Sequence, residues 1–584
     1  MISPSLNVAS SALQAQQSAI DVVAHNIANA NTAGYSRQIA DIGTLSSEKI
    51  GNISFGRGVS LQNIQRTIDP IVNNALTNNG SQQAYWDSLN NGLVAVESVF
   101  GSLSSTGLAS ALDDFFLSWQ QMSNNPQDMG LKANVQAKTS AVISNISIMS
   151  EQLASAQTSI DGQVTDSISQ ANLILDKIAS LNAQISRLES QTQGGAGAAN
   201  DLRDQRDMAT RDLAKIIPIQ IVNSGDNGVM IQTTNGDLLV QDDVARSLGR
   251  GAVDANGFET IVIAETGAVV SGTLSGGSIG GLIELRDNKL NNYSTQINSI
   301  AANMIFSVNQ LHANGSNGTP LTTITSQETG NATLALDDVT QNAPFASQIQ
   351  SGSFKIHTYD AAGVATPAGG TTINIVAGGT APPATTMTSL AADINTQLAA
   401  AGITATVAAN GQLTIAAAAG TTFALSDDTS NVLAAYEINN FFHGSNAATM
   451  QISANIQADS GNINAGQIVS ATSEIQIGSN TTAIAIHALQ NQAISIDGTT
   501  SASLHDRTTL VSATYGTDVS VASQQLQYRT AEADSLNRQR EAVSGVNIDD
   551  ELVTMIKFQR AYEAAAKVIT TSNQMLDSLM GLIR

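Results

Sequence analysis

The sequence contains no cysteine, which excludes disulfides, thiolate zinc sites and cysteine nucleophiles. Aromatic residues make up 4% and charged residues 12%, so the surface must be covered largely by neutral polar side chains. Such a surface suits packing against further copies of the chain. Basic residues are scarce: 25 Lys and Arg stand against 48 Asp and Glu, a net charge of -23. That balance argues against general nucleic-acid binding, where cations must displace counterions from phosphates, and equally against an anionic membrane. Between Lys289 and Arg507 the only basic side chain is Lys355, so the middle of the chain reads as a solvated, acidic to neutral region. No run approaches the roughly 20 apolar residues that span a bilayer, and no membrane insertion is expected. Nothing before Arg37 is Lys or Arg, and the apolar residues there are periodic instead of continuous. The expectation is export without a cleavable signal.

What is present is helical periodicity at both ends. Leu6, Leu13, Ile20 and Ile27 recur every seven residues, with Ala9, Gln16, Val23 and Ala30 between them. Near the other end Leu552, Met555, Gln559, Tyr562, Ala566, Ile569, Asn573, Leu576 and Met580 follow alternating steps of three and four. Asn547 is placed as an N-cap, and Asp549, Asp550 and Glu551 fall where a helix dipole favours negative charge. Long amphipathic helices gain little unless their stripes are buried, so the two are expected to pair, with each other or with neighbouring subunits. The polar stripe positions Gln16, Gln559 and Asn573 can specify register in an assembly. After the first stripe, Asn29, Asn31 and Gly34 read as a helix end, because Asn tolerates left-handed backbone and Gly has no penalty there.

Between the ends lies a nested plan. Residues 135–190 contain no Pro and a single Gly, Gly162, and predict one long helix with Gly162 as its candidate break. "DLRDQRDMATRDLAKII" predicts a further helix, with Leu202, Ala209, Leu213 and Ile216 on one face. "IPIQIVN", "GVMIQTT" and "DLLVQ" predict strands joined by "SGDNG" and "NGD" turns. Another helix starts at "GGLIELRDNKL". From about residue 321 the chain turns rich in Thr, Ala and Gly, with alternating runs such as "GSFKIHTYD" and "TTINIVA" and one helix, "MTSLAADINTQLAAAG". The expected fold class is α+β and multidomain. Residues 1–40 and 545–584 form a terminal coiled-coil assembly domain, 41–320 and 460–544 a helical core domain with a β-hairpin region, and 321–459 a mostly-β outer insert.

Candidate chemistry is sparse. His25, His312, His357, His443, His487 and His505 never fall within metal-ligand spacing of one another, so no metal site and no cofactor are expected. "GGAGAAND" lacks the Lys-Ser/Thr ending of a P-loop and reads as a flexible connection between helices. Asp201, Asp204 and Asp207 interleave with Arg203 and Arg206, the pattern of a solvated ion-pair face. "LSDDTSN" lacks EF-hand spacing and reads as a turn. No catalytic residue is expected and the chain is not read as an enzyme.

"SSALQAQQSAIDVVAHNIANANTAGYSRQ" resembles the N-terminal signature of the bacterial flagellar axial proteins, the rod, hook and hook-associated group, and "VNIDDELVTMIKFQRAYEAAAKVITTSNQMLDSLMGLIR" is similar to their C-terminal signature. Asn26, Asn29, Asn31, Thr32, Gly34 and Tyr35 carry the motif. Hook and rod members usually continue it with Phe-Lys, where this chain has Tyr35, Ser36 and Arg37. "NDLRDQRD" and "GGSIGGLIELRDNKL" resemble internal segments of the hook-associated, junction-forming members. The resemblance implies an extracellular structural protein, passed unfolded through the flagellar type III channel and assembled at the distal end of the hook, between flexible hook and rigid filament. The implied partners are further copies in a ring, the hook protein, the next hook-associated junction protein and a cytoplasmic export chaperone. Leu6, Leu13, Ile20 and Ile27 would form one side of the assembly interface; the stripe from Leu552 to Leu576 would form the other and dock the chaperone. Both ends are expected to be poorly ordered in the free monomer. The alternatives are a hook or rod protein, a flagellin, or an adhesin or enzyme whose activity sits in the insert.

Overall fold

The computed structural model describes residues 2–50, 53–101, 107–191, 197, 199–224, 228–378, 383–496 and 501–582. The chain is α+β and folds into two compact units, each assembled from discontinuous segments. Residues 1–94, 159–288 and 519–584 form the first; 95–158 and 289–518 form the second.

In the first unit the terminal helices, Ile2–Ala28 and Ile548–Leu582, pack on one another. They run antiparallel, since Asn26 near the end of one meets Glu551 at the start of the other. Asn547 caps the second as expected, its side-chain oxygen accepting from the Asp549 N–H at 3.0 Å. The N-terminal helix also lies against an antiparallel ribbon of Gln38–Thr44 and Val59–Arg66, paired from Gln38 opposite Arg66 to Thr44 opposite Val59 with a one-residue register shift between Asp41 and Ile42. The predicted strands form a meander of Ile219–Ser224, Gly228–Thr233, Leu238–Gln241 and Val244–Ala245. Gly236 takes the left-handed φ of 93° that the second turn needs. The centre of the "SGDNG" turn lies outside the described residues, as do four of the eight residues of "GGAGAAND".

The long helix, Met129–Gln191, is unbroken. Val142, Ile146, Met149, Leu153, Ile160, Val164, Ala171, Leu175, Ile178 and Ile185 are buried at helical spacing straight through Gly162. Gly162 sits on the exposed side. Glycine there costs about 1 kcal/mol of helix propensity, far less than the continuous buried stripe contributes at about 1.5–3 kcal/mol per large apolar side chain. The helix expected at "GGLIELRDNKL" runs as Gly277–Ile283, a π-helical stretch Glu284–Leu290, then Asn291–Ala313.

The second unit holds the β-rich residues. Gly352–Tyr359 is the central strand between Thr371–Ile375 and Thr422–Ser426, and Leu413–Ala417 lies between Thr323–Thr325 and Ile403–Val407; all of these pairings are antiparallel. The predicted helix is Met387–Leu398, opened by a capping box in which Thr386 and Ser389 exchange side-chain to backbone hydrogen bonds. The scarce aromatics gather here. Phe115 and Trp119, from helix Leu108–Asn124, meet Phe441 and Phe442, with ring centroids 4.9–6.3 Å apart. His312, fully buried against Phe441, donates from Nδ1 to the Asn439 carbonyl at 2.8 Å and accepts the Asn464 N–H at Nε2 at 3.0 Å. Burial lowers its pKa to about 4, so the ring is neutral.

Candidate assembly interface

The family motif folds into a buried polar clamp. The N-terminal helix ends at Ala28, and Gly34 turns the chain with a φ of 81°, where a Cβ would lie 2.1 Å from the Met208 sulfur. Asn29 closes the helix end, its side-chain amide donating to the His25 carbonyl at 3.0 Å and its own carbonyl accepting the Thr32 N–H at 2.9 Å. Asn31 is exposed. Asn26 is wholly buried and uses all four hydrogen-bonding positions of its amide. Its Nδ2 donates to the Gln38 carbonyl at 2.8 Å and to Glu551 at 3.0 Å, while its Oδ1 accepts from the Gln38 N–H at 3.0 Å and the Tyr35 hydroxyl at 2.8 Å. Neither Asp nor Leu could make that set. Burial, with the nearby Asp201, Asp204 and Glu551 carboxylates, pushes the Tyr35 phenol pKa up, so it stays a donor.

Two carboxylates tie this turn to the rest of the unit. Glu551, only 1% exposed, receives Arg37 Nε at 2.6 Å, and the Arg37 N–H donates to the Ser544 carbonyl at 2.9 Å. The first turn of the C-terminal helix is thereby fastened to the motif. Asp204, from helix Asn200–Ile216, accepts the Ser36 N–H and hydroxyl, both at 2.9 Å, and Arg66 at 2.7 Å. Arg66 also reaches Asp207 at 2.8 Å. The expected solvated face of "DLRDQRD" is therefore corrected. Asp204 and Arg206 are buried, Arg206 donating to Asn182 of the long helix at 3.0 Å, because the charges face folded partners on three other segments and not water. Spacing along one helix carries no information about those partners. The Ser36-Arg37 pair that follows the motif was the available signal.

The apolar stripes divide into a covered and an open side. Leu6, Leu13, Ile20 and Ile27 are each half-buried, while the fully buried positions of that helix are the smaller Ala9, Ala15, Ala19, Val22, Val23 and Asn26. On the C-terminal helix Met555, Ala566 and Ile569 are partly covered, with Phe558, Ala565 and Ser572 beside them. Leu552, Gln559, Tyr562, Asn573 and Leu576 are exposed. With Ile556 and with Met580, which is 69% exposed, they leave a second apolar strip uncovered.

Family models match along the chain: the flagellar hook-associated protein FlgK helical domain over residues 93–324, the flagella basal body rod protein over 6–35, and the flagellar basal body rod FlgEFG protein C-terminal region over 539–582. Flagellar hook-associated protein 1 of Salmonella typhimurium is 24% identical over 593 residues, and that of Escherichia coli 25% over 612, each covering 99% of both chains. The Bacillus subtilis protein of that name is 28% identical over 47% of this chain and 55% of its own. The solved flagellar hook junction protein FlgK of Burkholderia pseudomallei has a similar fold, with a TM-score of 0.51 and 18% identity, over 81% of this chain and 100% of that one. No helix among the described residues is long and apolar enough to cross a membrane. With both terminal signatures, the helical domain and full-length relatives in agreement, the chain is a hook-associated structural protein of the bacterial flagellum, similar over its whole length to flagellar hook-associated protein 1.

Proposed function

We propose that the chain is the junction subunit at the distal end of the hook, forming a ring of copies with the hook protein on one side and the next hook-associated protein on the other. The observation that carries this reading is the uncovered strip of Leu552, Ile556, Tyr562, Leu576 and Met580 on the C-terminal helix, which remains after the N-terminal helix has taken its share. A large exposed apolar strip rimmed by polar residues marks an interaction surface. The same strip would dock the export chaperone before assembly, and unfolded passage through the export channel requires the terminal helices to form late. In dilute monomer the far ends of the two helices, away from the Asn26–Glu551 contact, should then exchange their amide protons quickly; strong protection there would count against this order of events.

The test is genetic. Cells lacking the gene should make complete hooks without filaments and lose flagellin to the medium, and Leu576→Asp should reproduce that phenotype while the purified variant melts like the parent. Rods without hooks would move the role to the hook itself. Normal filaments in the deletion strain would refute the junction role.

A further inference from the structure

We propose that Glu328, Glu437 and His443 form a binding site for one divalent transition-metal cation, of the zinc, manganese or cobalt class, in the β-rich unit. The three side chains come from separate places in the chain: the loop after strand Thr323–Thr325, the turn after helix Val432–Ala435, and the short strand Phe442–His443. Each offers one ligand atom, and these atoms lie within 4.8 Å of one another. Around a metal with bonds of about 2.1 Å, ligand atoms sit roughly 3 Å apart, so closing the set needs only small side-chain movements.

The parts are already arranged as a coordination shell requires. Glu437 has a wholly buried side chain, and its Oε1 is anchored by the Gly444 N–H at 2.9 Å. That bond leaves Oε2 directed at His443 Nδ1, 2.5 Å away, with Asn440 Nδ2 at 3.4 Å behind it. Backbone and amide donors of this kind orient ligating carboxylates from outside the first shell. His443 is 41% exposed, which provides the entry path and leaves room for water or a further ligand on the open side.

A second observation, independent of the cluster, concerns charge. Between Lys289 and Arg507 the chain has one Lys or Arg, Lys355, and that side chain is paired with Asp427 at 3.1 Å. Among the described residues neither Glu328 nor Glu437 pairs with a Lys or Arg, and His443 is the one cationic partner at hand. Burying such charge uncompensated is costly, so a proton or a cation must take the place between them. Imidazole with two carboxylates suits transition metals better than calcium or magnesium, which favour all-oxygen sites.

The test uses the full-length chain, stripped with chelator and titrated with Zn²⁺, Mn²⁺ and Co²⁺ by calorimetry, with the visible spectrum of the Co²⁺ form as a second reading. One saturable site is expected, with Co²⁺ absorption bands altered from those of the aqueous ion. Glu328→Gln and His443→Gln should each weaken binding at least tenfold. Glu328 accepts fewer structural bonds than Glu437, so its variant keeps the test valid should Glu437→Gln unfold. Absence of a saturable site for all three metals would overturn the proposal, as would binding unchanged in both variants.

Discussion

Around Asn26, side chains from four segments meet through charge: Arg37 with Glu551, Arg66 with Asp204, and an amide with every position used. Around Phe441 the contacts are apolar and aromatic, and the one titratable ring among them, His312, is held neutral. The two regions show two ways of burying a contact. An apolar cluster is stabilised roughly in proportion to the area it removes from water, whatever the orientation of its members. A buried ionic clamp contributes little net energy but fails when any partner is missing, so it selects one arrangement of helix ends. At the termini, where two helices must begin and end at fixed places, that selectivity has a use.

The comparison can be broken by perturbing each side in turn. Trp119→Ala should cost about 3–5 kcal/mol in the aromatic core. Hydrogen exchange should show lost protection in Leu108–Asn124 and Asn291–Ala313 with the clamp unchanged; equal loss in both regions would remove the distinction. Acid should act next. The folded-state pKa of His312, about 4, lies below its unfolded value of 6.5, so its contribution is complete above pH 6.5 and is lost as the pH falls towards 4. The loss is about 3 kcal/mol, read as a falling denaturation midpoint of the β-rich unit across that window, and His312→Gln should flatten it.

Glu551→Ala leaves Asn26 without one partner and Arg37 without its carboxylate. Because Arg37 is partly exposed, water recovers some of that charge, and the expected cost is about 2 kcal/mol, seen as faster exchange at Ile548–Leu582 while the Trp119 region is unaffected. Gly34→Ala should cost about 1–2 kcal/mol through its positive φ and the Met208 contact, with the same local reading. Leu576→Asp, on the open strip, should change stability by no more than about 0.5 kcal/mol while abolishing assembly. A large loss of stability would mean that the strip is already part of the monomer's core.

The outcome of reading the stripes shows where periodicity stops. The helix from Leu552 onward was legible from its spacing, and its start from Asn547. Which of its edges would be covered was not. A helix presents apolar residues over a broad arc, and the N-terminal helix occupies the side of Met555 and Ile569, leaving Leu552 and Leu576 open. The turn at Gly34 was legible too, because a positive φ has a local signature. The acidic helix was misread as solvated because its partners, Ser36 and Arg66, lie on distant segments.

By itself the sequence determined the terminal helices, the strands from Ile219 to Gln241, the cap at Asn547, the turn at Gly34 and the two terminal signatures, since each depends on side chains within a few residues of one another. Only the tertiary structure decided which polar groups are buried and with whom: Asn26 with Gln38 and Glu551, Asp204 with Arg66, and Glu328 with Glu437 and His443. Burial and electrostatic pairing depend on distance in space, and residues remote in the chain carry no local sign that folding will bring them together.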